Sequence, residues 1–137
     1  MRLGSALVPW LLVALVVPAT AGDGRGAKKP RLDLRASPRM SLMPVDVLVV
    51  AELVGGDAIE DFYCPAIEWD WGDGGRSAHE ADCPPFQPGM EMERRHSASH
   101  AYRRSGEYSV RVTLRRVGRP LAVASTVVTI GGGSSAP

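Results

Sequence analysis

Two cysteines, three histidines and fifteen carboxylates are the side chains of this 137-residue chain that could do chemistry. Cys64 and Cys83 are too few for an all-cysteine zinc site or a disulfide-dense miniprotein, but they can pair with each other. His96 and His100 are four residues apart. On a strand they would share a face yet stand ~13 Å apart, too far for one ion bound at ~2 Å. Asp57, Glu60, Asp61, Asp70 and Asp73 are hard oxygen donors of the kind calcium takes, yet no D-x-D-x-D-G loop organises them. No serine lies in a G-x-S-x-G turn. The expectation is a non-catalytic protein without a cofactor, with calcium as the one ion its carboxylates would suit.

These groups must be positioned by strands, because the chain alternates with period two. Val45, Val47, Val49, Ala51 and Leu53 alternate with Asp46, Leu48, Val50 and Glu52. Ile67, Trp69 and Trp71 alternate with Glu68 and Asp70, and Gly72-Asp73-Gly74-Gly75 then turns the chain. Arg76 to Glu80 is the expected return strand, and His96 to Tyr102 another. Tyr108, Val110, Val112 and Leu114 alternate with Ser109, Arg111, Thr113 and Arg115. Leu121 to Ile130 is a last strand whose facing is ambiguous, since both of its faces carry Val or Ile. Counting one more strand from 31–43, about seven short strands in some hundred residues predict an all-β, two-sheet sandwich. Folding the hairpin between Asp73 and Gly74 sets Cys64 opposite Cys83, Glu68 opposite His79 and Trp69 opposite Ala78. Pro65 and Pro84 imply that both strands have become irregular by the cysteines.

The ends read differently. Residues 1–21 have a basic start, an apolar run from Leu3 to Val17 and a small-residue Ala19-Thr20-Ala21 exit, the layout of a cleavable secretory signal. The run is too short and proline-broken for a lasting transmembrane anchor, so no stable membrane insertion is expected after cleavage. Removing residues 1–21 from the 137 leaves 116 residues with no net charge. In an oxidising compartment, secreted or periplasmic, Cys64 and Cys83 should form a disulfide. Residues 22–30 read as a flexible leader, 31–130 as the sandwich and 131–137 as a disordered tail.

Charge is laid down in blocks. Residues 52–93 carry eleven acidic side chains against Arg76 alone, and residues 94–119 carry eight basic against Glu107 alone. Such blocks can neutralise one another within the fold or serve as complementary patches between molecules. Export argues against nucleic acid as a partner.

Three blocks, Trp69-Asp70-Trp71-Gly72-Asp73-Gly74, His100-Ala101-Tyr102 and Gly106-Glu107-Tyr108-Ser109-Val110-Arg111-Val112, resemble the PKD (polycystic kidney disease) domain family. That family's pattern is W-D-F-G-D-G, then H-x-Y, then P-G-x-Y-x-V-x-L; Trp71 here replaces Phe and Ser105 replaces Pro. The resemblance spans roughly Asp33 to Ile130 and implies an Ig-like β-sandwich in which the matched residues build the fold. Tyr108 stands where a tyrosine corner would in related sandwiches. The resemblance further implies an adhesion or binding module for an extracellular or periplasmic protein. Its recognition surface would be the loops at the cysteine end, with Phe62, Tyr63 and Phe86, or a sheet face carrying Arg111 and Arg115. Because PKD modules often accompany secreted degradative enzymes, a glycan-binding accessory domain is the first alternative. A structural subunit assembling through its charged patches is the second.

Overall fold

The computed structural model describes residues 27–132, together with Gly4. The expected signal segment (Gly4 apart), residues 22–26 of the leader and residues 133–137 of the tail lie outside the described residues. The elements are β1 (Arg31–Ser37), β2 (Met40–Leu42), β3 (Val45–Val54), β4 (Ala66–Asp70), β5 (Arg76–His79), β6 (Arg95–Tyr102), β7 (Gly106–Arg116) and β8 (Arg119–Gly131). They form two sheets, of order β1-β3-β6 and β2-β8-β7-β4-β5. The strand beyond the expected number is β2. After β1 the chain crosses to the second sheet and lays Met40–Leu42 parallel to Thr129–Gly131.

Alternation decides which faces meet. Val47, Val49, Ala51 and Leu53 of β3 are buried while Asp46, Leu48, Glu52 and Val54 are exposed. Val110, Val112 and Leu114 of β7 are fully buried from the other sheet. Each such side chain stabilises the fold by roughly 1.5–3 kcal/mol. The ambiguous last strand resolves through its partner: pairing with β7 turns Ala124, Val128 and Ile130 inward and leaves Val123, Ser125 and Val127 on the outer face. A register shift between Leu114 and Arg115 bulges β8 at Leu121, which packs against the core instead of continuing the alternation.

The hairpin differs from the expected register by one residue. Glu68 pairs with Ala78 and Trp69 with Ser77, not with His79 and Ala78. The turn has three central residues, because the Trp71 amide donates to the Gly75 carbonyl at 3.1 Å. Gly72 and Gly74 adopt φ of 79° and 90° there, conformations that favour glycine. Gly72 also passes so near β7 that a Cβ would stand 2.6 Å from the Ser109 carbonyl oxygen. An odd loop puts the cysteines out of facing register. They bond nevertheless, at a Cα–Cα distance of 6.2 Å, because both lie beyond the paired strands. Cys64 itself takes φ of 50° to reach its partner.

The chain is pinned before β1 begins. The Asp57 and Ala58 amides both donate to the Lys28 carbonyl, the Lys28 amide donates to the Asp57 carboxylate, and Pro30 is buried. The last leader residues are thus anchored to the β3–β4 loop.

The Cys64–Cys83 bond closes a loop of separation 19. Replacing both cysteines by serine is expected to lower unfolding free energy by ~3 kcal/mol, read as a fall in urea midpoint. An unchanged midpoint would show that the loops are held by packing alone.

Candidate functional site

The aromatic residues of the motif converge on the interior. Trp69 and Trp71 project from the β4 segment, and Trp71 stacks on His100 of β6 at 4.7 Å with the rings 6° from parallel. His100 meets Tyr102 edge-on at 4.8 Å, and Tyr102 stacks on Tyr108 of β7 at 4.4 Å. The polar tips of Trp71, Tyr102 and Tyr108 are satisfied. Trp71 Nε1 donates to Ser77 Oγ at 2.9 Å, and Tyr102 donates its hydroxyl to the Trp71 carbonyl at 2.8 Å. Tyr108 donates its own to the Arg104 carbonyl at 2.6 Å. Burial, followed by the Asp73 charge, pushes the Tyr102 hydroxyl up to about 12, so it stays a donor.

Both turn aspartates serve backbone amides. Asp70 accepts from the Gly72 amide at 3.0 Å and Asp73 from the Gly75 amide at 2.9 Å. The second Asp73 oxygen lies 2.6 Å from His100 Nε2. Burial alone would raise the Asp73 carboxyl, but the His100 and Gly75 hydrogen bonds outweigh it and hold the group below its ordinary value. These contacts commit Trp71, Asp73, His100, Tyr102 and Tyr108 to one another, to Ser77 and to the backbone. The carboxylates considered for calcium do not converge: among the described residues no three His, Cys, Asp or Glu side chains could hold one ion.

The loop aromatics divide. Phe62, expected on the recognition surface, is 1% exposed and belongs to the core. Its amide donates to the Ile59 carbonyl in a tight turn that folds the ring inward. Tyr63 and Phe86 remain half-buried, edge-to-face at 5.3 Å, with the Tyr63 hydroxyl donating to the Pro84 carbonyl at 2.9 Å. They tie the β3–β4 loop to the β5–β6 segment beside the disulfide. Next to them a cleft of about 390 Å³ opens between β5 and β6, bordered by Tyr63, His79, Glu91, Glu93, Arg95 and His96.

The arginine face is partly neutralised. Arg115 Nε donates to Glu68 at 2.8 Å, and Arg76 approaches Asp70 to 3.5 Å, both on the outer face of the five-stranded sheet. Arg111 has no ion-pair partner among the described residues, and with these groups it borders a shallow depression of about 560 Å³. The Glu68–Arg115 pair thus joins the acidic block 52–93 to the basic block 94–119. Arg116 likewise turns back to donate to the Glu60 carbonyl.

Two residues prove important, Arg94, which the sequence did not single out, and His96, which it offered only as a metal ligand. Arg94 donates to the carbonyls of Leu53, Gly55 and Gly56, clamping the chain where β3 ends. An arginine at the tip of a polar segment carries no sequence mark of that role. His96 is 9% exposed, and its Nε2 is buried without a hydrogen-bond partner.

No family model matches this chain, and no curated protein matches it.

Burial pushes the His96 imidazole below its ordinary value of 6.5, against the Glu93 carboxylate and backbone, with His79 adding to the downward shift. The folded state therefore takes up a proton there less readily than the unfolded chain. The stability this represents is complete above pH 6.5 and drains away as the pH falls below it. Urea midpoints should decline from about pH 7 to about pH 5, and His96→Leu should flatten that slope. A wild-type midpoint constant over this range would mean the ring is protonated without penalty.

Proposed function

We propose that this chain is an exported, non-catalytic PKD-like module of Ig-type topology that binds a protein partner through its disulfide-stapled loop end. The PKD-like identity is supported by the strand order. Read as A, A′, B, C, C′, E, F and G, the two sheets become A-B-E and A′-G-F-C-C′, with the sheet-switching first strand common in such sandwiches. The Tyr108 hydroxyl bonded four residues upstream is the tyrosine-corner contact. Export is supported by the apolar N-terminal run with its small-residue exit and by the Cys64–Cys83 bond, which fits an oxidising compartment.

One observation carries the binding reading. The two longest connections, residues 55–65 and 80–94, meet at the same end of the sandwich and are joined there by the disulfide and the Tyr63–Phe86 contact. Loops held by a rigid scaffold are where sandwich domains place recognition, and a covalent staple lowers the entropy lost on binding. The arginine face is the weaker surface because Glu68 and Asp70 already engage two of its cations. The burial of Phe62 leaves only Tyr63 and Phe86 for a sugar platform, which disfavours the glycan alternative.

A photo-crosslinking residue at position 86 of the exported protein, presented to the extracellular proteins of its own source, should yield a discrete adduct. The same probe at Ser125, on the outer face of β8, should not, and Cys64→Ser with Cys83→Ser should abolish the adduct. Crosslinking only from position 111 would move the site to the sheet face. Co-sedimentation with insoluble polysaccharide and no protein adduct would replace the reading by the glycan one.

A further inference from the structure

The two sheets end in four edge strands, and three of them are guarded. β1 carries Arg31, Asp33 and Arg35 along its outer face; β2 has three residues between Pro38 and Pro44; β5 has four, beginning with Arg76. Charges, prolines and shortness are the usual means of discouraging edge pairing. The eight-residue β6 has none of them beyond Arg95: it reads Arg-His-Ser-Ala-Ser-His-Ala-Tyr, with an unbroken register to β3.

The phase of its ladder shows which groups are open. The Leu53 amide donates to the Arg94 carbonyl at 2.7 Å, so alternate residues from Arg94 to Tyr102 direct their backbone groups to β3. Arg95, Ser97, Ser99 and Ala101 direct theirs to the free side, and all four are exposed. Among the described residues none of their backbone groups bonds another segment on that side.

We propose that this edge pairs with the same edge of a second copy of the chain. An antiparallel approach about a two-fold axis at Ala98 sets Arg95 against Ala101 and Ser97 against Ser99. Every open residue is then used, which gives about eight backbone hydrogen bonds and one continuous six-stranded sheet. The same register sets Glu93 of each copy against Arg103 of the other, opposite charges on exposed positions flanking the strand. Centring the axis on Ser99 instead opposes Arg95 to Arg103, two like charges. Centring it on Ser97 carries Ala101 past the strand end to face Glu93. The edge is thus self-complementary in one register, and its serine and alanine side chains offer no obstruction to close approach.

Sedimentation velocity of the exported protein, over about 1–500 µM at physiological salt, should show a reversible monomer–dimer equilibrium with a micromolar constant. Ser99→Pro removes an amide hydrogen that faces only the open side, so it should weaken dimerisation by about tenfold or more while leaving the urea midpoint near wild type. Arg103→Glu should weaken the dimer several-fold, and adding Glu93→Arg should restore it. A protein that stays monomeric throughout, or a dimer that neither Ser99→Pro nor the charge reversal alters, would overturn the proposal. Should Ser99→Pro fail to fold, the reversal and its rescue decide alone.

Discussion

The ring stack between the two sheets, Trp71 on His100 with Asp73 bonded to His100 Nε2, is the contact on which the rest of this structure depends. Trp71 comes from the five-stranded sheet and His100 from the three-stranded one, so the stack fixes how far apart and at what offset the sheets lie. Around it the Trp71 indole N–H and the Tyr102 hydroxyl are bonded internally, to Ser77 and to the Trp71 carbonyl. The Asp73 carboxylate serves His100 and the Gly75 amide at once, so one turn residue closes the hairpin and holds the facing sheet. Tyr102 and Tyr108 extend the same arrangement into β7, each ending on a backbone carbonyl that would otherwise lack a partner. The close approach of Gly72 to the Ser109 backbone belongs here too, since a side chain at Gly72 would push the turn off β7.

With the middle so constrained, variation moves to one end. The segments 55–65 and 80–94 have little regular hydrogen bonding of their own, and they are held by a few discrete devices. These are the disulfide, the Tyr63–Phe86 contact, the Arg94 clamp on three carbonyls and the Asp57–Lys28 contacts that draw in the chain before β1. Such loops send Ala58, Phe62 and Met92 into the core and keep much of their remaining length on the surface, the condition under which a surface can be specific and still free to differ. His96, buried below the cleft beside them, holds in its Nε2 the one buried side-chain nitrogen or oxygen without a hydrogen-bond partner among the described residues.

Much of this was legible from the residues. Strict alternation in β3 and β7 determined which side chains face the core, because a strand has only two faces and each carried one chemistry. The pairing of Cys64 with Cys83 followed from there being two cysteines in all, one on each side of one hairpin. The turn roles of Asp70 and Asp73 were legible because a short carboxylate beside glycine has few other partners. Phe62 was not, since an aromatic in a polar loop reads the same whether its ring turns in or out. The hairpin register was misread by one residue because Gly-Asp-Gly-Gly accommodates a two- or a three-residue turn, and the choice belongs to the Trp71–Gly75 backbone bond.

The amino-acid sequence by itself determined the class of fold, its core faces and its covalent staple, because these depend on periodicity and on local chemistry that neighbours in the chain can express. Only the tertiary structure decided how the charge blocks meet, with Glu68 on Arg115, because those partners come from different strands whose register is set by the whole sheet. It alone also decided that the first strand splits to join both sheets and that β6 ends its sheet with an open row of backbone groups. An edge is a property of what does not lie beside a strand, and no residue within β6 records it.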